Sequence, residues 1–358
     1  MLCTRRFAKV RSNEEGRVVR IYVNQFNGIN ALQALPLAAG LLVASARRDP
    51  LLDSAMIFHI EVRRQPVENV LEVYQDPVVL AFSCYTWNLR YTLEVARRAR
   101  TRFPDALIVM GGPSVPRSEE AVARFFEMHP CCDVLVLGEG EATFQAILRA
   151  VLEETPLEEV AGLALPKGQG TVVTTPRPRM DDPGQTASPY LSGTFEMLAR
   201  QECDTINAAL VETNRGCPFS CTFCDWGQAT QSHVYELPLK RVCEELDWIG
   251  TQEIPFLYII DANFGIRPRD IRIIEHIARV KARTGYPEFC YFHLTKNAHA
   301  RNLKTVETLQ KAGIGCRMAL SMQDFDPGVL RAIKRDNIKL SRSLHLRKLC
   351  VSASQNGN

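Results

Sequence analysis

The stretch AALVETNRGCPFSCTFCDWG, residues 208–227, runs from an apolar strand directly into three closely spaced cysteines. Cys217, Cys221 and Cys224 follow the spacing C-x3-C-x2-C. Three thiolates this close together form a metal-ligand set that is one short of the four ligands of a structural zinc site. The stretch therefore predicts the end of a strand and the start of a metal-binding loop.

A fourth protein ligand is not evident near the triplet. Cys203 and His233 are the nearest candidates, and both fall outside zinc-ribbon spacing. A [4Fe–4S] cluster held by three cysteines leaves one iron free to bind a substrate group. The spacing favours this open cluster, with structural zinc and uncommitted thiols as the alternatives.

The sequence around the triplet alternates between strand-like and helix-like segments. Four apolar strands and their helices can be counted between residues 206 and 338. This alternation predicts a partial (β/α) barrel, with the cysteine loop at the carboxyl end of a strand, where barrel active sites lie. Near the end of this region, Asp326 is predicted to cap a helix that begins at Pro327.

A second α/β region lies upstream. Five near-continuous apolar strands alternate with helices over residues 18–152, which predicts a parallel sheet covered on both faces, flavodoxin-like or Rossmann-like. Residues 153–205 are rich in Pro, Gly and Thr, so they are predicted to be a linker with one small hairpin around Val172 and Val173. We expect residues 1–17 to be a basic leader and 339–358 an irregular tail.

Composition excludes several classes of protein. A net charge of +3 gives no indication of a nucleic-acid partner. No apolar run approaches the ~20 residues that a membrane-spanning helix needs, and the N-terminus lacks the apolar core of a signal peptide. We therefore expect a cytoplasmic protein with no membrane partner, whose 12 cysteines are reduced.

Three loops follow consecutive strands of the predicted N-terminal sheet: FSCYTWN (82–88), GGPSVP (111–116) and LGEGEATF (137–144). The carboxyl ends of parallel strands form the ligand crevice of such a sheet. Paired glycines let the backbone approach a flat ligand closely. The dinucleotide fingerprint G-x-G-x-x-G is absent after the first strand, which disfavours a nucleotide.

The cysteine loop, with Phe223 directly before the last cysteine, resembles the radical SAM superfamily. The longer stretch ETNRGCPFSCTFCDWGQAT is similar to the subset that carries an N-terminal cobalamin-binding domain. The resemblance implies an open iron that binds S-adenosylmethionine (SAM), whose reductive cleavage gives a 5′-deoxyadenosyl radical. It further implies a cobalamin-dependent methyltransferase acting on an unactivated carbon or phosphorus centre of a small molecule. An electron donor such as flavodoxin or ferredoxin would supply the electron.

The resemblance also implies binding residues, although it assigns no catalytic acid or base. The stretch DANFG stands where the family has a Gly-Gly-Glu-like stretch, and a helix-start turn is the alternative reading of it. His293 and Thr295 are further strand-end candidates. The SAM-binding candidates are Phe223, Asp261, Asn263, Lys296, Ser321 and Gln323.

For cobalamin, the resemblance covers roughly residues 18 to 150, but the cobalt-ligating D-x-H-x-x-G signature is absent. Tyr85 and Trp87 would pack near the lower corrin face, or they cap a sheet edge. The cobalamin-binding candidates are Ser83, Tyr85, Trp87, Asn88, Gly111, Gly112, Pro113, Gly138, Glu139 and Gly140.

One departure from the family leaves rival hypotheses open. Radical SAM barrels usually have six or more β/α units, whereas the pattern here ends near Ile338 after four strands. We therefore expect a truncated chain, and one rival is a catalytically incomplete fragment that binds cluster and cobalamin. Another is a methylthiotransferase-like enzyme, whose N-terminal domain carries extra cluster cysteines. Cys84, Cys131 and Cys132 are the candidates for that role.

Overall fold

The computed structural model describes residues 19–27, 33–168, 170–196, 198, 206–224, 226, 233–295, 299–319, 321–335, 337 and 344. These residues divide into two compact units. The first comprises the described residues of Met1–Ala31, Pro36–Met180 and Thr186–Gln201, and the second those of Leu32–Leu35, Asp181–Gln185 and Glu202–Asn358.

The first unit is built on a seven-stranded sheet with the order β2-β1-β3-β4-β5-β6-β7. Its strands are β1 (Val19–Asn24), β2 (Met56–Glu61), β3 (Pro77–Ser83), β4 (Leu107–Gly111), β5 (Val134–Val136), β6 (Leu163–Lys167) and β7 (Gly170–Val173). The first five strands are parallel, in the order 2-1-3-4-5 of a flavodoxin-like sheet. This order confirms the predicted fold class of the N-terminal region.

Helices cover both faces of this sheet. They are α1 (Leu37–Arg47), α2 (Pro50–Ala55), α3 (Val67–Val73), α4 (Leu89–Arg102), α5 (Glu119–Met128) and α6 (Glu141–Glu153). Successive residues of β1 point to opposite faces, so Ile21 packs in one core with α1 and α6, while Tyr22 packs in the other with α3, α4 and α5. Burial on both faces explains why these strands are nearly continuous in apolar residues.

The sheet continues into the segment that was predicted to be a linker. β6 pairs antiparallel with β5, and β7 pairs antiparallel with β6, with Val172 opposite Leu165. The small hairpin anticipated around Val172 and Val173 is therefore an integral edge of the sheet, which extends past residue 152. Composition did not show this because β6 is short and Pro166 and Gly170 belong to the paired strands.

The second unit contains a parallel four-stranded sheet with the order β13-β12-β11-β8. Its elements are β8 (Ala208–Val211), α7 (Leu239–Thr251), β11 (Phe256–Phe264), α8 (Asp270–Thr284), β12 (Phe289–Leu294), α9 (His299–Lys311), β13 (Gly315–Ala319) and α10 (Pro327–Ala332). A two-stranded ribbon joins β9 (Asn214–Arg215) to β10 (Tyr235–Glu236). These elements confirm the predicted partial barrel.

Two local features differ in how well the sequence predicts them. Asp326 caps α10 as expected, since its carboxylate accepts from the backbone N–H groups of Gly328 and Val329 at 2.7 and 2.9 Å. By contrast, Ala34 forms an isolated parallel bridge with Ala208, which places residues 33–35 beside β8 in the second unit.

None of the helices in the described ranges is long and apolar enough to cross a membrane.

Candidate functional site

The cysteine loop begins at the carboxyl end of β8, as predicted. The antiparallel pairing of β9 with β10 closes the base of the loop. Gly216 has a φ of +116°, and a Cβ atom there would lie 1.9 Å from the backbone oxygen of His233, so only glycine fits. Cys217 and Cys221 are buried, with 8% and 5% of their surface exposed. Two of the three thiols are thus already sheltered from solvent.

Asp261 anchors the start of this loop. One carboxylate oxygen accepts from the backbone N–H groups of Thr213 (2.7 Å) and Asn214 (3.2 Å). The other accepts from the Thr213 hydroxyl and from Asn214 Nδ2, the latter at 2.6 Å. Burial raises the pKa of Asp261 to about 7, against the lowering effect of these hydrogen bonds. Both oxygens of Asp261 thus hold the start of the loop, and its contact with SAM stays a prediction.

Asn263 lies two residues further along β11, so its side chain points to the same face of the strand as that of Asp261. Its Nδ2 donates to Cys217 Sγ at 3.2 Å, and both residues are buried. The predicted SAM ligand therefore contacts a cysteine of the triplet directly.

Arg335 is a site residue that the sequence did not reveal. Although charged, it is only 8% exposed. Its guanidinium donates to the backbone oxygen of Ser321 at 2.5 Å, lies 3.7 Å from Cys221 Sγ, and sits over the Phe223 ring at 5.7 Å. Nothing in the local pattern distinguishes it from the neighbouring basic residues, because its significance arises from chain segments that are distant in sequence.

The remaining strand-end candidates for SAM binding differ in their exposure and in their hydrogen bonds. Ser321 and Gln323 are exposed and follow β13. Thr295 is buried and its N–H donates to the backbone oxygen of Phe264 at 2.8 Å. His293 is bound through Nε2 to the hydroxyl of Tyr258 at 2.8 Å, and burial lowers its pKa. Lys296 lies outside the described residues.

The donor set fits an iron–sulfur cluster. Its three cysteines, Cys217, Cys221 and Cys224, supply thiolates, which are the ligands of such clusters. N–H donors directed at thiolate sulfurs are among the groups that stabilise such clusters.

The second candidate site lies at the carboxyl edge of the first sheet, beside the neighbouring strands β1 and β3. The strand order reverses between these two strands, and ligands of open α/β sheets bind at such a reversal. Asn88, 1% exposed, ties this edge together. Its Nδ2 donates to the backbone oxygens of Phe26 (3.2 Å) and Ser83 (2.9 Å), and its Oδ1 accepts from the N–H of Tyr85 (2.8 Å). Asn88 and the buried Ser83 thus shape the crevice from beneath.

The glycine turn after β4 is locked to the same edge. The N–H of Cys84 donates to the oxygen of Gly111 at 2.7 Å, and the N–H of Ser114 donates to the oxygen of Cys84 at 3.1 Å. Gly112 has a φ of +104°, and a Cβ there would lie 2.8 Å from the Cys84 oxygen. Gly112 and Pro113 remain exposed on the outer side of this turn. The turn therefore presents bare backbone to a ligand.

Aromatic and glycine residues complete the edge. Tyr85 and Trp87 stack with ring centroids 4.5 Å apart, and Trp87 is 60% exposed. After β5, Gly138 has a φ of +93°, and a Cβ atom built there would have no atom within 4 Å. Gly140 directly precedes α6. Glu139 instead accepts from the N–H of Met180 at 2.8 Å, so its carboxylate serves to hold the loop. Bare backbone and an exposed ring stack suit a flat macrocycle such as a corrin.

Two family models match the chain. Residues 45–148 match the B12 binding domain, and residues 211–350 match the Radical SAM superfamily. The chain therefore belongs to the radical SAM proteins that carry a B12 binding domain, which confirms the family predicted from the cysteine loop and the glycine turns. The cofactors of these two domains are cobalamin, a [4Fe–4S] cluster and SAM.

Two curated relatives are methyltransferases by name. The 2-(S-pantetheinyl)-carbapenam-3-carboxylate methyltransferase of Streptantibioticus cattleyicolor is 40% identical over 319 residues, which are 88% of this chain and 46% of that protein. The cobalamin-dependent radical SAM methyltransferase TokK of Streptomyces tokunonensis is 38% identical over the same shares. The chain spans about half the length of these relatives.

Solved structures agree on the fold. The methyltransferase TsrM of Kitasatospora setae, with cobalamin and a [4Fe–4S] cluster bound, gives a TM-score of 0.70 at 17% identity, covering 94% of this chain and 65% of that one. The cobalamin-dependent radical enzyme OxsB with aqua-cobalamin gives 0.68 at 18% identity, covering 95% and 49%.

Proposed function

We propose that the chain provides the cofactor-binding part of a cobalamin-dependent radical SAM methyltransferase. The enzyme would cleave SAM reductively and transfer a methyl group to an unactivated carbon or phosphorus centre of a small molecule. The observation that carries this proposal is the cysteine loop at the end of β8, with Cys217 and Cys221 buried beside Asn263 and Arg335.

When bound, the cluster supplies the electron that cleaves SAM, and cobalamin carries the transferred methyl group. An electron donor such as flavodoxin or ferredoxin would reduce the cluster. Cys217, Cys221 and Cys224 would hold three of the four irons of the cluster, which would leave the fourth iron for SAM.

The residues proposed for SAM lie around Arg335. Its buried guanidinium is a permanent positive charge and suits the carboxylate of SAM, since an arginine fork matches a carboxylate well. Phe223, half exposed, offers a ring face to the adenine. Ser321 and Gln323 are exposed after β13 and are proposed for the ribose. Lys296, which lies outside the described residues, stays a predicted SAM-binding residue.

The residues proposed for cobalamin lie at the carboxyl edge of the first sheet. Backbone at Gly111, Gly112, Pro113, Gly138 and Gly140 would approach the corrin, and Tyr85 and Trp87 would pack against one face of it. Ser83, Asn88 and Glu139 would hold the surrounding loops in place.

The methylthiotransferase alternative is not supported by the N-terminal cysteines. Cys84, Cys131 and Cys132 are all buried. Cys84 donates to the oxygen of Phe82 and Cys132 to that of Val134, at 3.7 and 3.4 Å. Burial raises the pKa of Cys84 to about 12, which disfavours the thiolate needed for a cluster.

Anaerobic reconstitution tests the proposal. The chain is loaded with iron, sulfide and hydroxocobalamin, then given SAM and a reductant, and 5′-deoxyadenosine is measured. Cluster, cobalamin and deoxyadenosine together support the methyltransferase proposal. Cluster and cobalamin without deoxyadenosine identify a binding fragment without turnover, and zinc in place of iron contradicts the proposal.

A further inference from the structure

The hydrogen bond from Asn263 to Cys217 has a consequence for the cluster. Asn263 Nδ2 lies 3.2 Å from Cys217 Sγ, in a place where the two residues are 7% and 8% exposed. In water-poor surroundings a hydrogen bond to an anionic sulfur is stronger than at the surface. The side-chain N–H of Asn263 is therefore positioned to stabilise negative charge on the sulfur of Cys217.

The backbone around Asn263 is fixed from three directions. Its own carbonyl accepts from the N–H of Ile266 at 3.3 Å, and the next carbonyl, of Phe264, accepts from Thr295 at 2.8 Å. Two residues earlier, Asp261 binds the backbone of Thr213 and Asn214. The end of β11 thus holds both the start of the cysteine loop and its first cysteine, so the amide is pre-oriented toward the sulfur.

We propose that Asn263 is a positioning residue for the cluster: its side-chain N–H donates to the Cys217 thiolate, orients that ligand and raises the cluster's reduction potential. Reduction adds one negative charge, which the thiolates share. An N–H donor stabilises that charge, so it favours the reduced state. The inference rests on the proposed function for the presence of the cluster, but it assigns Asn263 to the cysteine and not to SAM.

The test compares two near-isosteric variants with a control. Asn263→Leu removes the donor, and Asn263→Asp replaces it with a carboxylate that repels the thiolate. Thr284→Val is the control, because Thr284 is a partly buried residue at the C-terminal end of α8 in the same unit, where its hydroxyl donates to the oxygen of Val280 at 2.9 Å and accepts from the N–H of Tyr286 at 3.1 Å. All three proteins and the wild type are reconstituted as full chains.

Redox titration followed by electron paramagnetic resonance gives the midpoint potential, and iron analysis gives the occupancy. We expect both Asn263 variants to have a more negative potential than the wild type, Asp more than Leu, while Thr284→Val keeps the wild-type potential even if it is less stable. If a variant holds the cluster poorly, about tenfold or more weaker iron retention than in Thr284→Val also supports the assignment.

An unchanged potential and occupancy in both Asn263 variants overturns the inference, and a raised KM for SAM alone would return Asn263 to the role of a SAM ligand. A wild-type chain that takes up no cluster contradicts the proposed function itself, and that result is distinct from either outcome for the variants.

Discussion

The two candidate sites of this chain are held in place by different parts of the polypeptide. At the edge of the first sheet, the ligand-facing atoms are backbone at glycine turns, fixed by main-chain hydrogen bonds such as that from Cys84 to Gly111. At the cysteine loop, the supports are buried polar side chains, namely Asp261, Asn263 and Arg335. The first is proposed to bind a large flat ligand, and the second is lined by buried polar and charged side chains.

This difference determines what a substitution does. Exposed side chains at the sheet edge, such as Trp87, can change without loosening the sheet, because main-chain hydrogen bonds and the buried side chain of Asn88 hold its shape. Removing a buried polar side chain at the cysteine loop leaves its partners unsatisfied, which costs stability as well as binding. The predictions below test this contrast.

The largest effect is expected for Cys217→Ala. It should abolish the iron content of the reconstituted protein while leaving cobalamin binding intact. Cys290→Ala is the matched control, because Cys290 is a buried cysteine of β12 in the same unit. Iron retained by Cys217→Ala at the level of the control would refute the cluster assignment.

Asp261→Ala should destabilise the second unit by about 3 kcal/mol, since three buried N–H donors lose their acceptor. Asp247→Ala serves as control. Asp247 pairs with His276 and Arg283 but is 38% exposed, so its loss should cost less than about 1 kcal/mol. Denaturant unfolding measures both, and equal losses would remove the special role given to Asp261.

The same carboxyl group should make stability depend on pH. Its folded pKa, about 7, is above its unfolded value, so the folded state holds the proton longer. The free energy of unfolding should therefore fall as pH rises from about 4 to 7. Asp261→Asn should show a shallower decline over this range, measured by unfolding of the cluster-free protein. Identical slopes would mean that Asp261 does not titrate there.

A smaller effect is expected at Gly112. Its Ala variant places a Cβ against the Cys84 oxygen and should cost about 1–3 kcal/mol and weaken cobalamin binding. Gly168→Ala is the control for backbone strain without a steric clash. Gly168 also has a positive φ, +61°, but no atom lies within 4 Å of the new Cβ. Equal cobalamin affinity in the two variants would show that the Gly112 turn does not face the corrin.

The smallest effect on stability is expected for Trp87→Ala. Because the ring is 60% exposed, the free energy of unfolding should change by less than about 0.5 kcal/mol. Cobalamin affinity should nevertheless fall by up to about tenfold. Phe325→Ala, which removes a 65% exposed ring in the second unit, should leave that affinity unchanged. A similar affinity in both variants would contradict stacking on the corrin.

The sequence was informative where function depends on local pattern. Alternating strands and helices predicted both sheets, and cysteine spacing predicted the loop at the end of β8. Pairings between distant segments were not predictable in this way. The antiparallel edge formed by β6 and β7 was interpreted as a linker, and the pairing of Ala34 with Ala208 has no signal in the local pattern. Arg335 was missed, and the hydrogen bonds of the candidate Asp261 to the start of the cysteine loop were not predicted, for the same reason, since burial is decided by tertiary contacts.

The most direct test of the central claim is Mössbauer spectroscopy of the chain reconstituted with ⁵⁷Fe, before and after addition of SAM. The account predicts a [4Fe–4S] cluster in which SAM changes the signal of about one iron in four, because three irons carry Cys217, Cys221 and Cys224. A cluster whose spectrum does not respond to SAM, or a protein that holds no cluster at this triplet, would contradict it.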